Sequence, residues 1–392
     1  MKLLETKNKM RIEALTFLRF IAAAIVVVFH YGQATDLARW ANPFISAGPQ
    51  MVSFFFTLSG FVLMVAYGGR RLDSLSKYYQ SRFARIAPVY FISLAAMGLM
   101  MEWKGGDTPL AFWLNAAFLQ SWFPPHTRAF NPPAWSLSVE AFFYLTFPLI
   151  VWTLRESKTG TAKCCAIALA FFVFSQAILI NLLNSGFYAG FPSVSHDLIY
   201  YFPLSHYCSF LLGVAGGYIF QNNPDAFGRP GLARTTSMLA MLVIVYLLID
   251  HEADLVRWFG FQVPFGASFH SLAFIGLILS VAAGENIVTR SMSMRPLAIL
   301  GEASYGLYIL QDPVRVVYDR LIAPRYGFSA NGTFYVYFGM LLVAALVSLY
   351  WIERPLKALI LNRRNSDPKL PLPFSASAKP GAFKRPPAGW LD

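Results

Sequence analysis

The feature that most restricts this chain is the spacing of its apolar residues. They fall in blocks of about 17–22, separated by short polar segments. At about 1.5 Å of rise per residue, one such block crosses the hydrocarbon core of a bilayer as a helix. Lipid offers the backbone no hydrogen-bond partner, so a spanning block must satisfy its own N–H and C=O groups. Composition agrees: 56% of the 392 residues are hydrophobic and 13% are charged. A soluble domain carries about twice that charged fraction. The expected fold class is therefore an all-α polytopic membrane helix bundle.

Ten spans are predicted: Glu13–Gly32, Pro49–Tyr67, Ile86–Glu102, Pro133–Thr153, Cys164–Leu183, Leu204–Phe220, Thr236–Asp250, Val263–Ala283, Pro296–Arg315 and Thr333–Ile352. Pro109–Phe123 is also apolar but short, and reads as an interfacial or re-entrant helix. Lysine and arginine placement orients the set. With both termini cytoplasmic, inner segments hold 24 of these cations and outer segments 6, the asymmetry that the positive-inside rule describes. An eleventh crossing at Pro109–Phe123 would move most later basic loops outside. The net charge of +12 is thus a topology signal. A nucleic-acid partner is excluded, because the cations sit in short juxtamembrane loops.

The first span has a basic start and an apolar core like a signal peptide, but no small-x-small cleavage site follows His30. Cys164, Cys165 and Cys208 fall in or at spans and show neither disulfide nor metal spacing. Residues 1–356 read as one membrane domain. Residues 357–392, rich in proline and basic residues, read as a disordered cytoplasmic tail. No internal repeat is visible.

Ionisable residues inside spans are costly and mark functional candidates. Arg19 and His30 share the first span, eleven residues apart. At 100° per residue they lie on one face, about 16 Å apart along the axis. Arg19 is then toward the cytoplasm and His30 in the outer half. That suits a ligand with an anionic head and a long thin arm ending in a reactive group, the shape of acyl-CoA. The competing reading is a snorkelling Arg19 and a packed His30. Arg82 and Arg85, three apart at the entry to the third span, form either a phosphate clamp or a positive-inside anchor.

At the start of the fourth span, Asn131-Pro-Pro-Ala-Trp135-Ser136-Leu-Ser138-Val-Glu140 places Ser136, Glu140 and Tyr144 at i, i+4 and i+8 on one face. Glu140 is expected to orient His30 or bind a sugar hydroxyl, and Trp135 to stack on a sugar ring. A capping acid and an interfacial tryptophan are the alternatives. In the ninth span, Ser304, Tyr308 and Gln311 fall near one face with Asp312 one step round. Glu353 and Arg354 read as a helix-terminus pair. The other histidines show no shared motif; His196-Asp197, in an outer loop, reads either as a glycan contact or, the favoured reading, as a solvated loop.

Taken together, these clusters resemble acyltransferase family 3 of polytopic membrane proteins, over roughly residues 11–356. Five ordered features carry the resemblance: Leu18-Arg19 with ten residues before His30; Phe54-Phe-Phe-Thr-Leu58-Ser59-Gly60-Phe61; Arg82-x-x-Arg85 with Pro88 and Tyr90; Trp135-Ser-Leu-Ser-Val-Glu140 with Phe143-Tyr144; and Ser304-Tyr305 before Tyr308. The resemblance implies transfer of an acyl group, often acetyl, from cytoplasmic acyl-CoA to a hydroxyl. The acceptor is commonly a sugar of a surface polysaccharide or lipid-linked glycan. By motif matching, His30 is the essential histidine, Arg19, Arg82 and Arg85 serve the CoA phosphates, and Glu140 is the motif acid.

The chain departs from the pattern where Gln311 stands in place of an expected histidine. Glutamine hydrogen-bonds but transfers no proton, so its role is positional or Asp312 substitutes. A fused C-terminal hydrolase-like domain, present in some relatives, is not expected here. The scheme has His30 as general base on the acceptor, Ser136 or Tyr308 stabilising the oxyanion, and Asn131, Trp135, Gln311 and Asp312 lining the acceptor site. Glycan assembly proteins are candidate partners in the bacterial inner membrane, and no metal is expected. A proton-coupled transporter or flippase for a lipid-linked sugar, using His30, Glu140 and Asp312 as a proton path, is the rival reading. A non-catalytic subunit of a glycan assembly complex is the third.

Overall fold

A computed structural model of the chain describes residues 2–69, 74–100, 108–223, 232–283 and 286–361. The predicted tail from residue 362 on and the loop cations Arg70, Arg71, Lys104 and Arg229 lie outside the described residues, as do the side chains of Lys2, Lys7, Lys9, Arg11 and Arg234. Among the described residues every regular element is helical.

Helix α1 (Lys2–Tyr31) is followed by the short α2 (Asp36–Trp40) and by α3 (Gly48–Leu63), which continues through a π turn, Met64–Gly68. Next come α4 (Leu75–Met100), α5 (Thr108–Ala116), three 3-10 turns and α6 (Trp135–Glu156). The chain continues through α7 (Thr161–Asn184), α8 (Val194–Tyr200), α9 (Pro203–Asn222), α10 (Leu232–Asp250) and α11 (Glu252–Phe259). The last set is α12 (Ser271–Ala283), α13 (Ile287–Met292), α14 (Arg295–Ile309), α15 (Gln311–Leu321), α16 (Ala330–Ser348), a π turn at Leu349–Glu353 and α17 (Arg354–Ile360).

Among the described residues seven helical segments are long and apolar enough to cross a membrane. The chain is an all-α, multi-pass integral membrane protein. The other three predicted spans correspond to shorter helices. The seventh has an apolar stretch at Thr235–Asp250, and the eighth keeps a regular apolar helix only over Ser271–Ala283. The ninth prediction, one helix through Pro296–Arg315, is corrected: the helix stops at Ile309 and a separate one starts at Gln311. Pro313 explains the break. It has no N–H to give the carbonyl of Ile309, four residues earlier.

Two apolar cores meet along α3. One is built from α1, α3, α12, α14 and α16, the other from α3, α4, α6, α7 and α9. The α3–α9 contact has almost no side-chain layer. A Cβ on Gly60 would stand 2.2 Å from the Phe210 carbonyl oxygen, and one on Gly213 would stand 2.0 Å from that of Thr57. Small residues let membrane helices approach this closely. The far side of α7 exposes Ile167, Leu169, Val173, Phe174 and Ile178, the pattern of a helix that faces lipid. Helices α1 and α14 pack along each other, and this contact brings the end of the first helix to the broken one.

Candidate active site

His30 occupies the last turn of α1. Its Nδ1 lies 2.9 Å from Gln311 Oε1 at the start of α15. The next residue, Tyr31, donates its hydroxyl to Asp312. One helix end therefore delivers two side chains in sequence to two consecutive residues of the break.

The break itself is lined by the side chains that repair it. The carbonyl of Ile309, orphaned by Pro313, accepts from Asn131 Nδ2 at 2.8 Å and from Ser93 Oγ at 3.2 Å. The carbonyl of Tyr308 accepts from Gln311 Nε2 at 2.7 Å. The carbonyl of Gln311 accepts from the Tyr337 hydroxyl at 3.0 Å. Unpaired backbone groups are costly away from water, so such repairs are what a membrane helix break requires.

This network fixes the tautomer of His30. Because Gln311 uses its NH2 group on Tyr308, the atom facing His30 is its oxygen, which only accepts. His30 Nδ1 must then carry the hydrogen, and in the neutral ring Nε2 keeps the lone pair. His30 is exposed, so this lone pair sits on a ring with open space beside it. A base oriented through its second nitrogen is the arrangement used in general acid–base sites.

Arg19, eleven residues earlier on α1, reaches a second cluster. It lies within electrostatic range of Arg85, Glu140, Tyr144 and Glu353. Arg85 Nη1 is 3.8 Å from Glu353 Oε2, and its guanidinium lies over the Tyr305 ring. Arg82 donates to the Tyr67 hydroxyl at 3.1 Å and stacks over Tyr67 and Tyr144. Among the described residues no carboxylate pairs with Arg82. The three arginines and Glu140 are all half-buried rather than sealed. Three cations against two carboxylates leave this cluster positively charged and open, fit for a polyanion. Tyr308, within electrostatic range of both Glu140 and Asp312, connects the two ends.

Several expected roles are corrected by this geometry. Glu140 does not orient His30; it accepts from the Tyr144 hydroxyl one turn along its own helix, and Gln311 takes the orienting position. Ser136 and Tyr308 are not free oxyanion donors. Both hydroxyls donate to the Pro133 carbonyl, at 3.0 and 3.1 Å. Asn131 is spent on the helix break, and Trp135 is not open to a sugar: it is buried against Phe56, Tyr201 and His206. Glu353 and Arg354 do not pair with each other. Glu353 turns to Arg85, and Arg354 donates to Glu302 at 2.6 Å. Residues His196 and Asp197 lie on α8 rather than in a free loop, with Asp197 buried. Ser304 is buried with no hydrogen-bond partner for its hydroxyl.

Sequence reasoning missed Tyr31, Tyr67, Tyr337 and Arg128. In the sequence Arg128 is one of the six outer-segment cations; in the structure it lies within electrostatic range of His30 and Asp312. Two acids outside the spans show how burial and partners act at the periphery. The Asn331 amide and then Arg39 hold the Asp36 carboxyl below its usual range. Burial pushes Glu252 up to about 7 against a hydrogen bond from Gln50.

Comparison with known proteins identifies the family. The family model described as Acyltransferase domain, of acyltransferase family 3, matches residues 12–352. Among relatives, Acyltransferase MdmB of Streptomyces mycarofaciens is 26% identical over 340 residues, covering 81% of this chain and 83% of that protein. Putative peptidoglycan O-acetyltransferase YrhL of Bacillus subtilis (strain 168) is 24% identical, covering 80% of this chain and 50% of its own length. O-acetyltransferase OatA of Staphylococcus aureus (strain NCTC 8325 / PS 47) is 22% identical, covering 87% and 56%. No solved structure matches. With its matched region running from the arginine end of α1 to the Glu353 turn, the chain belongs to acyltransferase family 3.

Proposed function

We propose that the protein is an acyl-CoA-dependent O-acyltransferase that moves an acyl group, in the simplest case acetyl, to a hydroxyl of a glycan, with His30 as general base. The observation that carries this reading is the arrangement along α1: an open arginine cluster at one end and, about 16 Å away, an imidazole held through Nδ1 by Gln311. The spacing matches a donor whose phosphates and thioester are separated by a pantetheine arm. Names of relatives add the acceptor class, since one is called a peptidoglycan O-acetyltransferase and another an O-acetyltransferase.

In the proposed reaction Arg82, Arg85 and Arg19 hold the CoA phosphates at the cytoplasmic face of the bacterial inner membrane. The arm lies along α1. The acceptor oxygen attacks the thioester carbonyl carbon as His30 Nε2 takes the hydroxyl proton. The tetrahedral adduct then collapses by breaking the C–S bond, and the proton passes from His30 to the sulfur, releasing CoA as a thiol. Gln311 keeps Nε2 as the basic nitrogen throughout. A short polar contact joins Tyr31 to Asp312 beside the ring, which anchors the end of α1.

The test is acetyl-CoA turnover by the purified protein in lipid nanodiscs, with and without glycan acceptors. His30→Ala is expected to lower the rate by about 10²–10⁴-fold. Transfer at the wild-type rate in that variant would falsify the scheme. Proton-coupled sugar uptake without thioester cleavage would favour a transporter instead.

A further inference from the structure

Arg128 has no part in the chemistry described above, yet it is a cation within electrostatic range of His30. It ends the 3-10 turn His126–Arg128. Its guanidinium lies 5.2 Å from the Phe191 ring centroid and 5.8 Å from that of Tyr201. Contacts through the flat faces of a guanidinium leave its in-plane N–H edge free for other partners. Among the described residues Arg128 has no ion pair. Tyr201 is held from behind by Trp135, at 4.9 Å between rings, and flanked by His196 at 5.6 Å. Phe191 is 59% exposed, an open apolar ring beside a fixed cation.

We infer that Arg128, Phe191, Tyr201 and Asp197 form an acceptor subsite beside His30, built for a neutral, hydroxyl-rich ring such as an uncharged pyranose. This rests on the reading of His30 as the base. Arg128 is in electrostatic range of His30, Asp312 and Asp197. One arginine between two carboxylates offers no net attraction to an anionic acceptor. A sugar hydroxyl both donates and accepts, so a pair of them satisfies an arginine edge and a carboxylate at once. The C–H face of a pyranose packs on an aromatic ring, which Phe191 supplies. A few convergent polar groups against an aromatic wall are the usual composition of a small-ligand site.

Ligand-observed saturation-transfer NMR on the full chain in nanodiscs tests this without needing turnover. The probes are neutral methyl pyranosides (gluco, galacto, manno and N-acetylglucosamine) and the methyl uronides of the first three. At least one neutral glycoside is expected to bind the wild-type protein more tightly than its uronide. Arg128→Ala and Phe191→Ala are each expected to weaken that binding about tenfold. In acyl transfer to the same sugar they should raise the acceptor KM by a similar factor, with kcat falling less than twofold. Preference for uronides, no binding by any probe, or unaltered acceptor affinity in both variants overturns the subsite. Sugar binding that is lost in Arg128→Ala, in a protein that turns over no acyl-CoA, keeps the subsite and overturns the acyltransfer reading. Normal transfer with an unaltered acceptor KM in both variants does the reverse.

Discussion

Gln311 supplies a donor and an acceptor at once, and neither depends on a protonation state. Its amide has two ends with opposite character, and the helix break uses both. The NH2 end closes the Tyr308 carbonyl and the oxygen end selects the His30 tautomer. Replacing it by leucine leaves the ring without a tautomer constraint and the carbonyl without a donor. Gln311→Leu is therefore expected to cut kcat for acyl transfer at least about tenfold while shifting the donor KM by less than twofold, as read from steady-state kinetics with acetyl-CoA. A larger effect on donor KM than on kcat would place Gln311 in donor binding instead. The sequence made His30, Arg19 and the arginine pair legible, because a charge inside an apolar block stands out. It flagged Gln311 as a departure. It did not show what Gln311, Asn131 and Ser93 do, since a local amide and two side chains from distant segments converge on two carbonyls that only the break exposes. Arg128 was hidden for a related reason: a loop arginine has no period, and its aromatic partners arrive from residues 191 and 201.

At the level of helices, apolar length predicted most spans to within a few residues. Helix α7 (Thr161–Asn184) and helix α9 (Pro203–Asn222) fall almost where block length put them. The ninth span failed because its apolar residues run on through Leu310 while Pro313 acts backwards on Ile309. Helix α4 starts at Leu75, well before its apolar block, because its first turns carry Arg82 and Arg85 on a helix anchored by tyrosines. Tyr78 and Tyr79 both donate to backbone carbonyls of α6. The α3–α9 seam was also out of reach, since glycines in an apolar block look alike whether they face lipid or a neighbour. A side chain at Gly213 has nowhere to go. Gly213→Leu is expected to destabilise the fold by about 1–3 kcal/mol, seen as a lower melting temperature in a detergent thermal-shift assay. An unchanged melting temperature would mean that α3 and α9 separate more easily than their contact suggests.

For the molecule as a whole, the charge asymmetry gives an orientation that a reporter experiment can check. Green fluorescent protein fused after Asp392 is expected to fluoresce, and alkaline phosphatase inserted after Ala189 to be active. The opposite pattern would put the arginine cluster on the wrong side for a cytoplasmic donor. The break between α14 and α15 bears on this geometry in a further way. Helix α15 is amphipathic, with Arg315 paired to Asp319 and Arg320 reaching the Met100 carbonyl, so the chain leaves the apolar zone at about the level of Gln311. The exposed His30 ring is hydrogen-bonded to that same residue, at the end of the apolar run of α1. Under the proposed mechanism, an enzyme with its base there receives a soluble sugar without dragging it through hydrocarbon, and it also admits the smallest hydroxyl available. Its yield is then a partition between sugar and water for one thioester, decided by how fully the acceptor fills the mouth before the acyl group arrives.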